Sequence, residues 1–265
     1  MKNLYQMIRS SRFCVVFTGA GISTLSGIPD FRSPNGVYSR RFQGYPVEEI
    51  LSIDLFLQRP DLYYSWAKPF IYELDRYQPN IVHRTVAGME RAGLVGMTYT
   101  QNIDLLHERA GSRKLGELHG SPAIHDCLRC GKTFEYPQIA AIVQRGEVPK
   151  CPLCGGIVKP RIVFYGEALD ADLLSRAERD LRRADLLLVL GSSLTVNPAA
   201  MLPELTLSAG GKLVIVNRQP TPLDAEASLC FDDLETVFSG LQKELLRDFP
   251  DCMTEPSGNS ERQSE

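Results

Sequence analysis

A chain of 265 residues, 43% hydrophobic and 23% charged, has ordinary globular composition and room for one large domain carrying an insert. A net charge of −3 and a pI near 5.9 lack the basic surface that duplex recognition needs, so no direct nucleic-acid binding is expected. The N-terminal MKNLYQMIRSSRF builds no signal-type apolar core, and runs such as 13–17 and 186–190 fall far short of a membrane span; the chain reads as soluble, cytoplasmic and monomeric.

In chain order, apolar runs rich in Val and Leu recur at 13–17, 94–100, 185–191 and 212–217. Runs of this length, separated by helix-like segments, predict buried strands of a parallel sheet. Residues 170–184 place Leu173, Leu174, Ala177, Leu181 and Ala184 at helical spacing among charges, as a crossover helix requires, and 233–249 reads as a closing helix. The expected fold is α/β: a doubly wound, Rossmann-like parallel sheet formed by 1–34, 81–120 and 166–250. Two stretches break the alternation. Residues 35–80 carry Pro46, Pro60, Pro69 and Pro79 among short amphipathic pieces such as 61–74, and 121–165 hold four paired cysteines. Together they predict a smaller domain made of a helical insertion and a metal module. Residues 251–265, rich in Ser, Glu, Pro and Asn, predict a disordered tail.

The chemistry-bearing residues follow the strands. After the first strand, Gly19-Ala20-Gly21 can bring backbone N–H groups to a pyrophosphate, with Ser23 and the start of a helix adding donors. The pattern is not a strict G-x-G-x-x-G, because Thr24 stands where the third glycine would fall, and a plain structural turn would look alike. Downstream, Arg32 is a bidentate phosphate partner and Phe31 suits a planar ligand. Gln101-Asn102-Ile103-Asp104 sits at the carboxyl end of another predicted strand, where ligands of such sheets bind, although Asn102 and Asp104 would also serve as helix caps.

His119 lies just before the cysteine module; its imidazole could take a proton near neutral pH, though a lone histidine is more often structural. Cys127-x-x-Cys130 and Cys151-x-x-Cys154 have the spacing of a closed structural zinc site, with dithiol redox chemistry as the rival. His125 is left out, since four thiolates complete a tetrahedron. Cys14 and Cys230 read as ordinary buried small residues. Gly191-Ser192-Ser193 again follows a strand and could cradle phosphate or be a simple turn.

Taken together, GAGIS at 19–23, SGIPDFRSP at 26–34, QNID at 101–104, HG at 119–120, the four cysteines, VFYGE at 163–167, GSSLTVNPA at 191–199 and VN at 216–217 stand in the order found in sirtuins, the NAD-dependent protein lysine deacylases. The chain resembles that family over residues 1–248. The resemblance implies NAD as a consumed co-substrate, one structural zinc, and an acyl-lysine protein or peptide as partner. It places NAD against Gly19, Ala20, Gly21, Ser23, Asp30, Phe31, Arg32 and Tyr38, against Gln101, Asn102, Ile103 and Asp104, and against Gly191, Ser192 and Ser193. Asn217 and Gln219 would take the adenosine ribose, with Asp233 and Leu234 near the adenine.

His119 and Asn102 would be catalytic, His119 as general base, and Phe31 would shield the reacting face from departing nicotinamide. Val163, Phe164, Gly166, Glu167 and Val196 would lie along a peptide clamped as an added strand. The implied products are nicotinamide, O-acyl-ADP-ribose and free lysine. Family members that prefer acidic acyl chains carry a Tyr and an Arg three apart on the inserted helix. Here Tyr64 is followed by Ala67, which favours acetyl or longer neutral chains. Arg161 stands where an Asp is common, and Tyr165 replaces a common Phe. A mono-ADP-ribosyltransferase and a non-catalytic NAD-sensing module are the competing functions.

Overall fold

The computed structural model describes residues 2–31, 33 and 36–254. Eleven strands occur among them: β1 Cys14–Thr18, β2 Arg41–Phe42, β3 Tyr45–Pro46, β4 Met97–Thr100, β5 Leu115–Glu117, β6 Gly120–Cys127, β7 Thr133–Glu135, β8 Val158–Ile162, β9 Leu186–Leu190, β10 Lys212–Val216 and β11 Leu229–Phe231. Six of them form a parallel sheet in the order β11-β10-β9-β1-β4-β5. That is the doubly wound order, and it reverses between β1 and β9, the place where such sheets open a crevice at their carboxyl ends.

β1 and β9 are buried at every position. Their side chains alternate between two apolar layers. Cys14, Val16, Leu186, Leu188 and Leu190 pack beneath the helices Lys2–Ser10, Ile81–Arg91 and Leu234–Asp248, while Val15, Phe17, Leu187 and Val189 pack on the Ala171–Arg183 side. Each fully buried Val, Leu or Phe contributes about 1.5–3 kcal/mol. Asp170 and Asp233 start their helices by accepting from Leu173 N and from Glu235 N and Thr236 N.

A separate apolar cluster joins residues 37–74 to the zinc-type module. The module is a three-stranded antiparallel sheet, β7-β6-β8. Tyr64 in the helix Pro60–Ala67 donates to the Val158 carbonyl at 2.6 Å, and Tyr136 donates to the Ile71 carbonyl at 3.0 Å.

Several expectations need correction. The predicted piece at 61–74 is helical only to Ala67, because Pro69 has no N–H with which to continue the helical hydrogen bonds. β5 and β11 were not foreseen; three-residue edge strands carry too few apolar residues to stand out. Cys230 is exposed on that edge, not buried. The tail does not begin at 251: Pro250–Met253 form a 3-10 turn, with Cys252 buried and its carbonyl held by Arg91 at 2.5 Å. Residues 255–265 lie outside the described residues. No described helix is long and apolar enough to cross a membrane.

Candidate active site

A cleft of about 820 Å³ opens at the carboxyl ends of the central strands, beneath the insert, within the size range of small-molecule sites. Its floor is a junction of two turns. Gly21 N donates to the Gly191 carbonyl at 2.8 Å, and a Cβ on Gly21 would lie 2.8 Å from Gly191 Cα. Gly191 itself has φ +60°, in the left-handed region. These glycines are required by the mutual approach of the turns, before any ligand is considered. The segment after Gly19 is a 3-10 helix, Ala20–Ser26, rather than the α-helix start expected.

Most sequence-selected residues line this cleft: Ala20, Gly21, Asp30, Phe31, Tyr38, Gln101, Asn102, Ile103, His119, Gly191, Ser192, Ser193, Asn217, Gln219, Asp233 and Leu234. Val163, Phe164, Gly166, Glu167 and Val196 line its other wall. Gly19 is not on the wall; it supports the turn junction. Ser23 and Asp104 are also off the main cleft, beside a side cavity of about 60 Å³. The Ser23 hydroxyl donates to Asp104 at 2.5 Å, and burial raises the Asp104 pKa above the usual carboxylate value. Ser23 thus reaches a ligand only through its neighbours. Arg32 lies outside the described residues. Asp233 is a helix cap, so its carboxylate is already shared with Glu235 N and Thr236 N.

Three side chains set the chemistry at the floor. His119 Nδ1 lies 3.0 Å from the Gln101 carbonyl. A carbonyl only accepts, so Nδ1 carries the proton and Nε2 is the basic nitrogen. Gln101 Oε1 accepts from Ser192 at 2.9 Å, and its Nε2 is buried with no protein partner among the described residues. An orphaned donor of this kind fits an incoming hydroxyl or carbonyl. Asn102 Nδ2 donates to the Gly19 carbonyl and to Ser23 Oγ, both at 3.2 Å.

On the opposite wall, Glu167 accepts from Phe164 N at 2.8 Å and pairs with buried Lys159 at 2.9 Å. Lys159 also sits 4.1 Å over the Phe164 ring. The Glu167 carboxylate therefore shapes the loop. Arg161 is bidentate to Asp126 at 2.7 and 2.9 Å. The Tyr165 hydroxyl meets that of Tyr38 at 2.9 Å across the rim. The helix Pro60–Ala67 turns Tyr64 toward Val158 and buries Ala67, and Trp66 is the residue of this stretch that lines the side cavity. Cleft residues that sequence reading passed over include Leu51, Leu169 and Arg218, which belong to no motif.

The four cysteine sulfurs lie within 4.8 Å of one another, with Cys127–Cys154 at 3.4 Å and Cys130–Cys151 at 3.7 Å. A tetrahedral zinc with bonds of about 2.3 Å spaces its sulfurs by about 3.8 Å, so the set fits one zinc ion with no open position.

A doubly wound sheet with its cleft at the switch point, and a four-thiol module beside it, define a dinucleotide-binding α/β protein with a structural metal lobe. Residues 19–198 match the Sir2 family, and the chain belongs to that family. Similar proteins include the NAD-dependent protein deacetylase of Thermotoga maritima, 44% identical over 88% of this chain and 92% of that one. NAD-dependent protein deacylase 2 of Archaeoglobus fulgidus is 42% identical over 83% of this chain and 85% of that one. A solved Sir2 complex with a p53 peptide and NAD+ superposes with a TM-score of 0.83 at 41% identity, covering 94% of this chain and 98% of that one. Sir2Tm bound to a propionylated peptide gives 0.81 at 40% identity, with the same coverage.

Proposed function

We propose that this chain removes acyl groups, acetyl first, from lysine side chains of proteins, consuming NAD and one water and giving nicotinamide, O-acyl-ADP-ribose and free lysine. The observation that carries this reading is the His119–Gln101 contact, which leaves a basic Nε2 at the cleft floor. NAD supplies a ribose carbon with nicotinamide as leaving group, which an amide oxygen can attack. His119 takes the proton of a ribose hydroxyl at Nε2 and so lets that oxygen attack the activated acyl carbon. Gln101 offers its unpaired Nε2–H to the ribose, and Asn102 holds Gly19 and Ser23 in place beside it. Phe31, packed 5.1 Å from Tyr38, covers the reacting face.

Gly21, Gly191, Ser192 and Ser193 take the phosphates, while Asn217 and Gln219 take the adenosine ribose. Asp30, Arg32, Ile103, Asp233 and Leu234 complete the NAD contacts. Val163 and Phe164 pass the acyl-lysine stem through an apolar wall, with Gly166 and Val196 against the peptide backbone. The cysteines Cys127, Cys130, Cys151 and Cys154 hold zinc for structure alone. Seven cysteines with no disulfide among them suit a reducing, cytoplasmic setting, and the chain works as a monomer.

The test incubates the zinc-loaded protein with an acetyl-lysine peptide, with and without NAD, and follows peptide mass and free nicotinamide together. Loss of acetyl matched by nicotinamide, only with NAD, is the expected result. His119→Ala should keep NAD binding and lose turnover by 10²-fold or more, on the order of a removed general base. An ADP-ribose mass on protein with the peptide still acetylated would favour the transferase instead.

A further inference from the structure

Two buried histidines behind the cleft have no part in the chemistry above. His107 is 2% exposed and His83 is fully buried. Their rings meet edge to face at 4.9 Å. His107 Nδ1 and His83 Nε2 are both without a partner among the described residues. Orphaned buried nitrogens are costly, and a leucine at 107 would fill the same space without that penalty. What the imidazole does provide is one hydrogen bond, and that bond opens a chain.

His107 Nε2 lies 3.0 Å from Thr18 Oγ1 at the end of β1. Thr18 donates to Thr100 Oγ1 at 2.8 Å, at the end of the neighbouring strand β4. Thr100 Oγ1 accepts the Asn102 backbone N–H at 3.0 Å. All of these groups are nine-tenths or more buried. Thr18 has a single hydroxyl proton, and it is spent on Thr100. His107 must therefore donate from Nε2, and Nδ1 is left as the unprotonated nitrogen. Burial holds the imidazole well below its ordinary pKa, at about 4, so the ring stays neutral at pH 7 and the direction of the chain is kept.

The chain ends on the residue whose side chain bridges Gly19 and Ser23. A second anchor comes from the other side. Asn80, which caps the helix Ile81–Arg91 and donates from its backbone N–H to His83 Nδ1, holds the Ile22 carbonyl and Ser26 Oγ at 2.8 Å each. The glycine loop is thus gripped from Asn102 and from Asn80, with the two histidines packed together behind both.

We infer that His107 is a positioning residue for the deacylation reaction: through Thr18 and Thr100 it orients Asn102 and, with it, the glycine loop that meets NAD. A free hydroxyl of Thr18 could otherwise rotate, and Thr100 would then lose its donor and leave the 101–104 turn one hydrogen bond short. Misplacement of a positioning group by about 1 Å can slow a reaction by about 10²-fold, so a smaller shift suffices for about 10-fold.

The turnover arm of the test rests on the deacylation reading; two further arms do not. Thr18→Val, which keeps the shape of the side chain, and His107→Leu should each lower kcat/KM for the acetyl peptide about 10-fold, mostly in kcat. Their double variant should lose no more than either alone, because both act through one chain. Thr18→Ser and His107→Gln, which keep a hydroxyl and an amide donor, should recover to within about 3-fold of the parent. Nitrogen NMR of labelled His107 should show Nε2 protonated and Nδ1 bare, and exchange of the Asn102 amide proton should quicken about 10-fold in Thr18→Val.

Losses that multiply in the double variant, turnover within 2-fold of the parent in Thr18→Val, or a proton on Nδ1 would each overturn the inference. Should His107→Leu fail to fold, Thr18→Val carries the argument alone. Should the parent protein not deacylate at all, the reading of function fails, and the tautomer and amide-exchange results still decide the positioning role.

Discussion

The central sheet and the insert close their cores by opposite means. In the sheet, β1 and β9 are buried at every position and apolar except at Thr18, and their ends meet as bare backbone at Gly21 and Gly191. In the insert the buried cluster mixes aliphatic side chains with the phenols and indole of Tyr63, Tyr64, Trp66, Tyr72 and Tyr136. There, hydroxyls tie separate segments together: Tyr64 to Val158, Tyr136 to Ile71, and Tyr72 to His125 at 2.8 Å. Four cysteines close the far end. One region is held by continuous pattern and tight approach, the other by point attachments between distant parts of the chain. The difference teaches where each is fragile: the first fails on added bulk, the second on a lost bond.

The largest expected effect is metal loss. Structural zinc in small modules is worth about 10–16 kcal/mol of folding free energy, so chelation or Cys151→Ser should open the lobe. Limited proteolysis should then cut within 121–165 while the sheet survives. Simultaneous loss of both regions would break the comparison. Next comes bulk at the turn junction. Gly191→Ala puts a methyl against Ile22 N at a left-handed backbone position and should cost about 3 kcal/mol or more, with NAD binding abolished. Gly44→Ala, equally left-handed at φ +87° but with nothing within 4 Å, isolates the backbone part at about 1 kcal/mol. Equal thermal shifts in the two variants would refute the close-approach argument.

A lost point attachment is smaller. Tyr64→Phe leaves the Val158 carbonyl unpaired in the core and should lower stability by about 1–2 kcal/mol in denaturant titration, with little change in NAD affinity. The smallest effect is acid sensitivity of the insert. Burial pushes His125 down to about 3, whereas the unfolded chain takes a proton near 6.5. Its contribution is complete above the unfolded value and drains away as pH falls toward the folded one. Between pH 7 and 5.5 this amounts to about 1 kcal/mol. His125→Gln should show a correspondingly shallower fall in thermal midpoint over that interval; an unchanged slope would place the acid sensitivity elsewhere.

The same contrast explains what the sequence disclosed. β1, β9 and β10 announce themselves because strands covered on both faces need unbroken apolar runs. The cysteine pairs were legible because metal geometry dictates their spacing. Edge strands of three residues, β5 and β11, leave no such trace. The rotation of the helix Pro60–Ala67, which brings Trp66 rather than Ala67 to the side cavity, depends on where Tyr64 finds its acceptor in β8. Ser23 and Asp104 match their motifs yet spend their polar atoms on each other. Thr18, Thr100 and His107 come from three separate segments, and only the fold brings them into line.

The order of strands in the large sheet also sets a timetable for synthesis. Cys14 at the start of β1 lies beside Leu186 of β9, and the whole cysteine lobe is encoded between them. At about 5–20 residues per second, the ribosome delivers that neighbour roughly 10–30 s after β1 emerges. During this interval β1 has one flank bare, and the lobe has already been released with all four thiols. The four zinc ligands are thus all available before the sheet can be completed, and residues 14–18 wait with an uncovered strand flank.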